Sequence, residues 1–150
     1  MGEVKTRIFE SRDLPRILRI EDAAFGADAW PAELFEEYAR TSPKLFLVAM
    51  LGRKLVGYSI GCLRRQTAEL ASIGVLPDYR GRGVATKLLK VTLRKVRREG
   101  AKSMWLMVRR DNEKAIRLYR SLGFEHEATV RRYYEDGSSG SRMRVVLKPN

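Results

Sequence analysis

At 150 residues the chain has the length of one domain, and a hydrophobic fraction of 44% with two Trp, five Phe and six Tyr excludes disorder. A formal charge of +12 predicts attraction to polyanions; because the basic residues are dispersed, they read first as a solubilising surface and second as a ribosome or nucleic-acid contact. One Cys and one His exclude an internal disulfide and are too few for a zinc site, so no metal is expected. No apolar run approaches the roughly 20 residues that span a bilayer. The opening MGEVKTRIFE is charged rather than leading into an apolar signal segment, so the expectation is a cytoplasmic chain with no membrane partner.

Val4 to Phe9 alternates as a first strand, Val4, Thr6 and Ile8 on one face and Lys5 and Arg7 on the other. Asp13 is placed to cap a helix whose apolar positions Leu14, Ile17, Leu18, Ile20 and Ala24 keep the helical period, fading near Phe25-Gly26. A second helix is predicted from Trp30-Pro31 to Arg40. Phe25, Trp30 and Phe35 lie in or beside the connection, where they read as a hydrophobic staple between the helices or as the lining of a substrate groove. Leu45 to Met50 and Leu55 to Leu63 form a hairpin turned at Gly52, and Thr67 to Val75 is the third strand of the meander. Within it Glu69 shares parity with Ala71, Ile73 and Val75, so an acid stands on a face that otherwise looks buried. Burial raises a carboxyl pKa toward the range useful to a base; a solvated Glu near a strand start is the competing reading.

That third strand runs into IGVLPDYRGRGVATKLLK, from Ile73 to Lys90: apolar strand, Pro-Asp turn, basic glycine-spaced loop, then a helix without an acid in its first turn. A helix start leaves backbone N–H groups unpaired and carries partial positive charge, which suits an anion. Gly81 and Gly83 let the backbone approach it, and Arg80 and Arg82 add forks that match phosphate oxygens, so a diphosphate is the natural ligand. The Walker pattern fails, because Val84 and Ala85 follow Gly83, and the dinucleotide fingerprint fails at Thr86. The helix after the loop keeps Ala85, Leu88, Leu89, Thr92 and Val96 on one stripe and ends at Gly100. Ser103 to Val108 is the next strand. Asn112 is placed to cap a helix from Glu113 to Leu122, and a final hairpin pairs Glu125 to Tyr134 with Arg142 to Leu147.

Arg-x-x-Gly-x-Ala, Arg80 to Ala85, resembles the acetyl-CoA loop of the GCN5-related N-acetyltransferases, the GNAT superfamily. Three segments, ASIGVLPDYRGRGVATKLL, VRRDNEKAIRLYRSLGF and RRYYEDG, look like the protein alpha-amino acetyltransferases of the RimI and archaeal Ard1 type; residues 1 to 60 match in pattern only. The resemblance implies an α/β fold in one domain over residues 1 to 150. Its sheet is mixed, mostly antiparallel and splayed at the centre, with about four helices, and acetyl-CoA lies between its halves. It places the pyrophosphate on Arg80, Gly81, Arg82, Gly83, Val84 and Ala85, and the pantetheine arm along Ile73, Gly74 and Val75. Asn112 falls where the family's asparagine meets the cofactor, and Tyr119 where a tyrosine protonates the departing thiolate. Tyr133 and Tyr134 match a pair that holds the substrate N-terminus; Phe25 and Trp30, from their place between the first two helices, are the other candidate acceptor contacts. There is one departure: Met107 stands where RimI enzymes carry a Glu implicated as general base, while Glu69 sits where other GNAT enzymes place a base on the strand before the loop, so the resemblance implies that Glu69 takes that function. The implied activity is direct acetyl transfer from acetyl-CoA to a protein or peptide N-terminal alpha-amine. The alternatives are a lysine or small-amine acetyltransferase, and a basic ribosome- or nucleic-acid-associated binding module on the same scaffold.

Overall fold

In the computed structural model, which describes residues 2–149, most of the strands form where apolar residues are buried on one or both faces. β1 (Val4–Ile8) pairs antiparallel with β2 (Phe46–Leu51), Val4 opposite Leu51 and Ile8 opposite Leu47. β3 (Lys54–Arg64) returns along β2 through a turn at Gly52, whose φ of +62° a side chain would oppose. β4 (Thr67–Val75) follows, and pairs in parallel with β5 (Ser103–Arg109) over Thr67–Glu69 against Ser103–Trp105. β7 (Gly140–Val146) pairs antiparallel with β5 and with β6 (Glu125–Val130), so the seven strands run in the order β1-β2-β3-β4-β5-β7-β6. Four α-helices accompany them: α1 (Leu14–Phe25), α2 (Ala32–Thr41), α3 (Val84–Arg98) and α4 (Glu113–Ser121). The architecture is the α/β mixed sheet implied by the sequence. Among the described residues no helix is long and apolar enough to cross a membrane.

The chain divides into two compact units, Met1–Cys62 with Ala71–Thr92, and Leu63–Leu70 with Leu93–Asn150. In the first, β2 is buried on both faces, and alternate residues feed two separate cores. Phe46 and Val48 join Ile17, Ile20, Phe35, Leu55, Tyr58 and Ile60. Leu47 and Ala49 join Val56, Val75, Val84 and Leu88. The second core seats the start of α3 tightly: a Cβ on Gly57 would come within 2.9 Å of Val84 Cγ1 and 3.0 Å of the Gly74 carbonyl oxygen. Gly57 thus fixes the height at which the helix leaves the loop.

Asp13 stands before α1, as expected, but its side chain makes no cap bond. Its carboxylate is fully buried and accepts from Arg7 at 2.8 and 2.9 Å, from Arg16 at 3.1 Å and from the Glu10 N–H at 2.8 Å. Burial pushes this carboxyl up, and the Arg7 bond, the Glu10 amide and the arginine charges outweigh it, holding Asp13 below the usual range. The residue ties β1 to the helix start instead of closing the helix.

In the second unit β5 alternates strictly, with Met104, Leu106 and Val108 buried and Trp105, Met107 and Arg109 half-exposed. Every residue of β6 is exposed, and charges at Glu125 and Glu127 guard that edge. The last hairpin differs from expectation: β6 stops at Val130, Arg132 adopts a φ of +51°, and Tyr133 and Tyr134 lie in the connection and not in the strand.

Candidate active site

The loop between β4 and α3 is built for an anion by backbone geometry. Pro77–Tyr79 makes one tight turn, after which Gly81 and Gly83 take φ of +76° and +81°, with nothing within 4 Å of a Cβ built on either. The first intrahelical bond of α3 runs from the Lys87 N–H to the Gly83 carbonyl at 3.0 Å, so the N–H groups of Val84 and Ala85 have no acceptor within the helix. Arg80 Nε reaches back to the Val75 carbonyl at 3.4 Å. Arg82 lies over the Tyr79 ring at 5.0 Å, with Lys54 Nζ also 5.1 Å from that ring centre. Open space, positive φ and unpaired donors at a helix start together fit a pyrophosphate. Upstream, Gly74 and Val75 are buried and Ile73 half-buried. Phe25 is 39% exposed, whereas Trp30 packs on α2, its ring stacked on Tyr38 at 5.5 Å and tilted against Phe35 at 5.5 Å. Trp30 also packs against the core cluster that holds Ile17 and Ile20 of α1 with Phe35 of α2, and so acts as the hydrophobic staple between the helices.

The proton-handling candidates lie in the second unit. Glu69 is half-buried; the buried positions of its strand there are Ala68 and Leu70, so the acid stands on the more open face and not on the buried one. It is opposite Trp105 in the parallel register, and Arg142 stacks on the Trp105 ring at 4.1 Å. Burial pushes Glu69 up, while Arg64 and Arg142 pull it down, and the upward push wins. Arg142 and Arg144 share Glu127, at 2.9 and 2.7 Å. Met107 is paired with Arg142 across the β5–β7 ladder, and a Cβ on Gly140 would come within 2.6 Å of its Cε, so Gly140 leaves room for the thioether.

Tyr119 is 7% exposed and packs edge-on against Phe124 at 6.0 Å; burial, and then the field of Tyr134, raise its phenol well above the ordinary value. It stays a neutral O–H at any physiological pH. Tyr133 and Tyr134 meet edge to face at 4.9 Å, with Arg109 over the Tyr134 ring at 4.2 Å and held by Asp136 at 3.0 Å. Asn112 Oδ1 accepts the Ala115 N–H at 3.2 Å and caps α4. Sequence reasoning missed Trp105 and Arg142 as neighbours of Glu69. The alternation of Arg142, Met143 and Arg144 signals an exposed charged face, but only the β5–β7 register brings it to Glu69.

Comparison with known proteins gives the family and the fold. The model of the acetyltransferase (GNAT) family matches residues 14–124. The chain is 33% identical over 138 residues to the [ribosomal protein bS18]-alanine N-acetyltransferase of Escherichia coli K12, covering 92% of this chain and 91% of that protein. It is 37% identical over 138 residues to the N-alpha-acetyltransferase RimI of Mycobacterium tuberculosis, covering 88% and 85%. The chain spans 38% of the length of a longer Mycobacterium leprae relative, at 38% identity. In structure it superposes on Ard1 from Thermoplasma volcanium with a TM-score of 0.92 and 27% identity, over 97% of this chain and 98% of that one. With the family model covering well over half its length, the chain belongs to the acetyltransferase (GNAT) family.

Proposed function

We propose that the protein, acting as one N-acetyltransferase domain over residues 1–150, transfers an acetyl group from acetyl-CoA to the N-terminal alpha-amine of a protein or peptide. The observation that carries the reading is the donor-lined glycine loop at the start of α3, where Arg80, Gly81, Arg82, Gly83, Val84 and Ala85 would hold the pyrophosphate. Ile73, Gly74 and Val75 would receive the pantetheine arm along the β4 backbone. Acetyl-CoA, when bound, supplies an activated thioester as acyl donor. Glu69 takes the proton that the attacking amine loses, directly or through water; burial raises its pKa and makes it a stronger base than an ordinary carboxylate. The buried Tyr119 hydroxyl holds the proton that a departing thiolate requires. Tyr133 and Tyr134 present hydroxyls to the first peptide bonds of the acceptor, Phe25 and Trp30 its side chains, and Asn112 combines its cap with a cofactor contact.

An energy argument favours the alpha-amine over lysine. Their pKa values are about 7.7–8.0 and 10.4, so deprotonation at pH 7.5 costs under about 1 kcal/mol for the first and about 4 for the second. A single carboxylate base suits the easier substrate. The two N-terminal acetyltransferase relatives support the same acceptor, and one is named for a ribosomal protein. The charge of +12, and an α3 that reads VATKLLKVTLRKVRR without an acid, suit an acceptor displayed among RNA phosphates. Ribosome association in the cytoplasm is therefore part of the proposal. The test offers a peptide with a free N-terminus and an internal lysine, together with acetyl-CoA, and maps the acetyl group by mass spectrometry. Acetyl on the N-terminus is expected; acetyl mainly on lysine, or equal activity on a blocked peptide, overturns the reading.

A further inference from the structure

Glu21 is buried to 1% exposure on the apolar stripe of α1, beside Ile17 and Ile20. A leucine there would avoid the desolvation that a carboxylate suffers, so the acid calls for a reason. Its partners are hydrogen-bond donors and not cations. One oxygen, Oε2, accepts the backbone N–H of Trp30 at 2.9 Å, and Oε1 accepts the hydroxyl of Tyr58. With the Tyr58 proton given to Glu21, the Ser72 hydroxyl donates in turn to Tyr58 Oη, at 3.0 Å. The chain of bonds therefore starts in the α1–α2 connection and ends on β4. There it meets the strand closely: a Cβ on Gly74 would lie 2.7 Å from Tyr58 Cε1 and 3.2 Å from Ile20 Cγ2.

After α1 ends at Phe25 the chain makes one short turn, Gly26–Asp28, and Trp30 then attaches the connection to both helices, ring on α2 and N–H on Glu21. We propose that Glu21 is a positioning residue, whose buried carboxylate fastens the Phe25–Trp30 connection to the Tyr58–Ser72 side of β4 and so sets the wall against which the acceptor's first residue lies. An apolar contact at this point would leave the connection free to slide, whereas two bonds from one carboxylate fix both its distance and its direction. The acceptor half of this inference rests on the proposed N-terminal acetylation; the clamp itself does not.

The experiment compares wild type with Glu21→Gln and Tyr58→Phe. Glutamine keeps the shape but replaces one acceptor oxygen with a donor that cannot take the second bond. Phenylalanine keeps the ring against Gly74 and removes only the hydroxyl. Hydrogen exchange at the Trp30 amide should quicken at least about tenfold in Glu21→Gln, with the strands of the sheet still protected. The acceptor peptide KM should rise about tenfold, while acetyl-CoA affinity stays within about twofold and kcat changes less than KM. Tyr58→Phe should move KM the same way, about threefold, and carries the test if the glutamine variant does not fold. Unchanged exchange at Trp30 overturns the clamp. Faster exchange with unchanged peptide KM, or equal losses of cofactor affinity and turnover, overturns its acceptor role. A wild type that acetylates no peptide N-terminus overturns the proposed function, and the Trp30 exchange still judges the clamp separately.

Discussion

The glycine loop before α3 and the Glu69 wall on β4, β5 and β7, to which the proposed function gives different tasks, are made in opposite ways. The loop is backbone: its donors, its open space and its positive φ values all arise within residues 76–87. The wall is side chains from three strands distant in sequence, Glu69, Trp105 and Arg142, assembled by a parallel register on one side and an antiparallel register on the other. Damage to the loop should therefore weaken ligand affinity and leave proton transfer intact. Damage to the wall should do the reverse.

The largest effect should come from the wall. Glu69→Gln is expected to lower kcat by roughly 10² to 10⁴ with acetyl-CoA affinity nearly unchanged, and Tyr119→Phe to act in the same direction. The sign with pH follows from the raised pKa of Glu69: the base works only when ionised, so wild-type kcat/KM should fall as pH drops, with a midpoint above that of an ordinary Glu. In Glu69→Gln the steeper part of that limb, below the pKa of Glu69, should disappear and leave only the slope set by the acceptor amine, whose pKa is about 7.7–8.0. A steeper part that persists in the variant would assign the base elsewhere.

The complementary break is Gly83→Asp, which adds a negative side chain beside the pyrophosphate site at a φ of +81° that glycine tolerates best. Like-charge juxtaposition costs several kcal/mol, so calorimetry should show acetyl-CoA affinity lowered by about 10² or more. Equal affinity in a folded variant would detach the loop from the cofactor.

The same contrast explains what could be read in advance. The hairpin turn at Gly52, the cap at Asn112 and the loop from Pro77 to Gly83 are local, each fixed by residues within a few positions, and the sequence displays them. Arg142 beside Glu69 depends on strand partners some 70 residues away, with a bulge at Glu127 adjusting the register of the edge. Periodicity in one strand is blind to that. Glu21 had a signal that went unused: it stands four residues after Ile17 and three before Ala24, on the apolar stripe itself, where a charged residue implies buried donors nearby. The last hairpin was misread because Arg132, at φ +51°, breaks the strand without any glycine to announce it.

A milder change separates acceptor binding from both regions. Replacing the Tyr133 and Tyr134 hydroxyls through Tyr→Phe at both positions removes hydrogen bonds of about 0.5–1.5 kcal/mol each, so peptide KM should rise about tenfold with acetyl-CoA affinity unaltered. Tyr133 is 50% exposed, and its ring can be changed without opening the core. Unaltered KM would remove the pair from the acceptor site.

The smallest single effect sharpens the comparison most. Met107 stands where the resembling RimI enzymes carry a glutamate, and it lies on the half-exposed face of β5 directly across from Arg142. A glutamate placed there gains Arg142 as a partner, in competition with Glu127, which already holds that guanidinium at 2.9 Å. In the presence of Glu69 a second carboxylate is redundant, and Met107→Glu should leave kcat within about threefold of wild type. In Glu69→Gln the same substitution supplies the only base on that wall and should recover about tenfold of the lost kcat, with an acid limb lower than that of wild type because Arg142 holds the new carboxylate ionised. Two residues that substitute for one another are non-additive, so the double-mutant cycle reads the coupling directly. Strict additivity of the two changes would show that a carboxylate at position 107 cannot take over the role of Glu69.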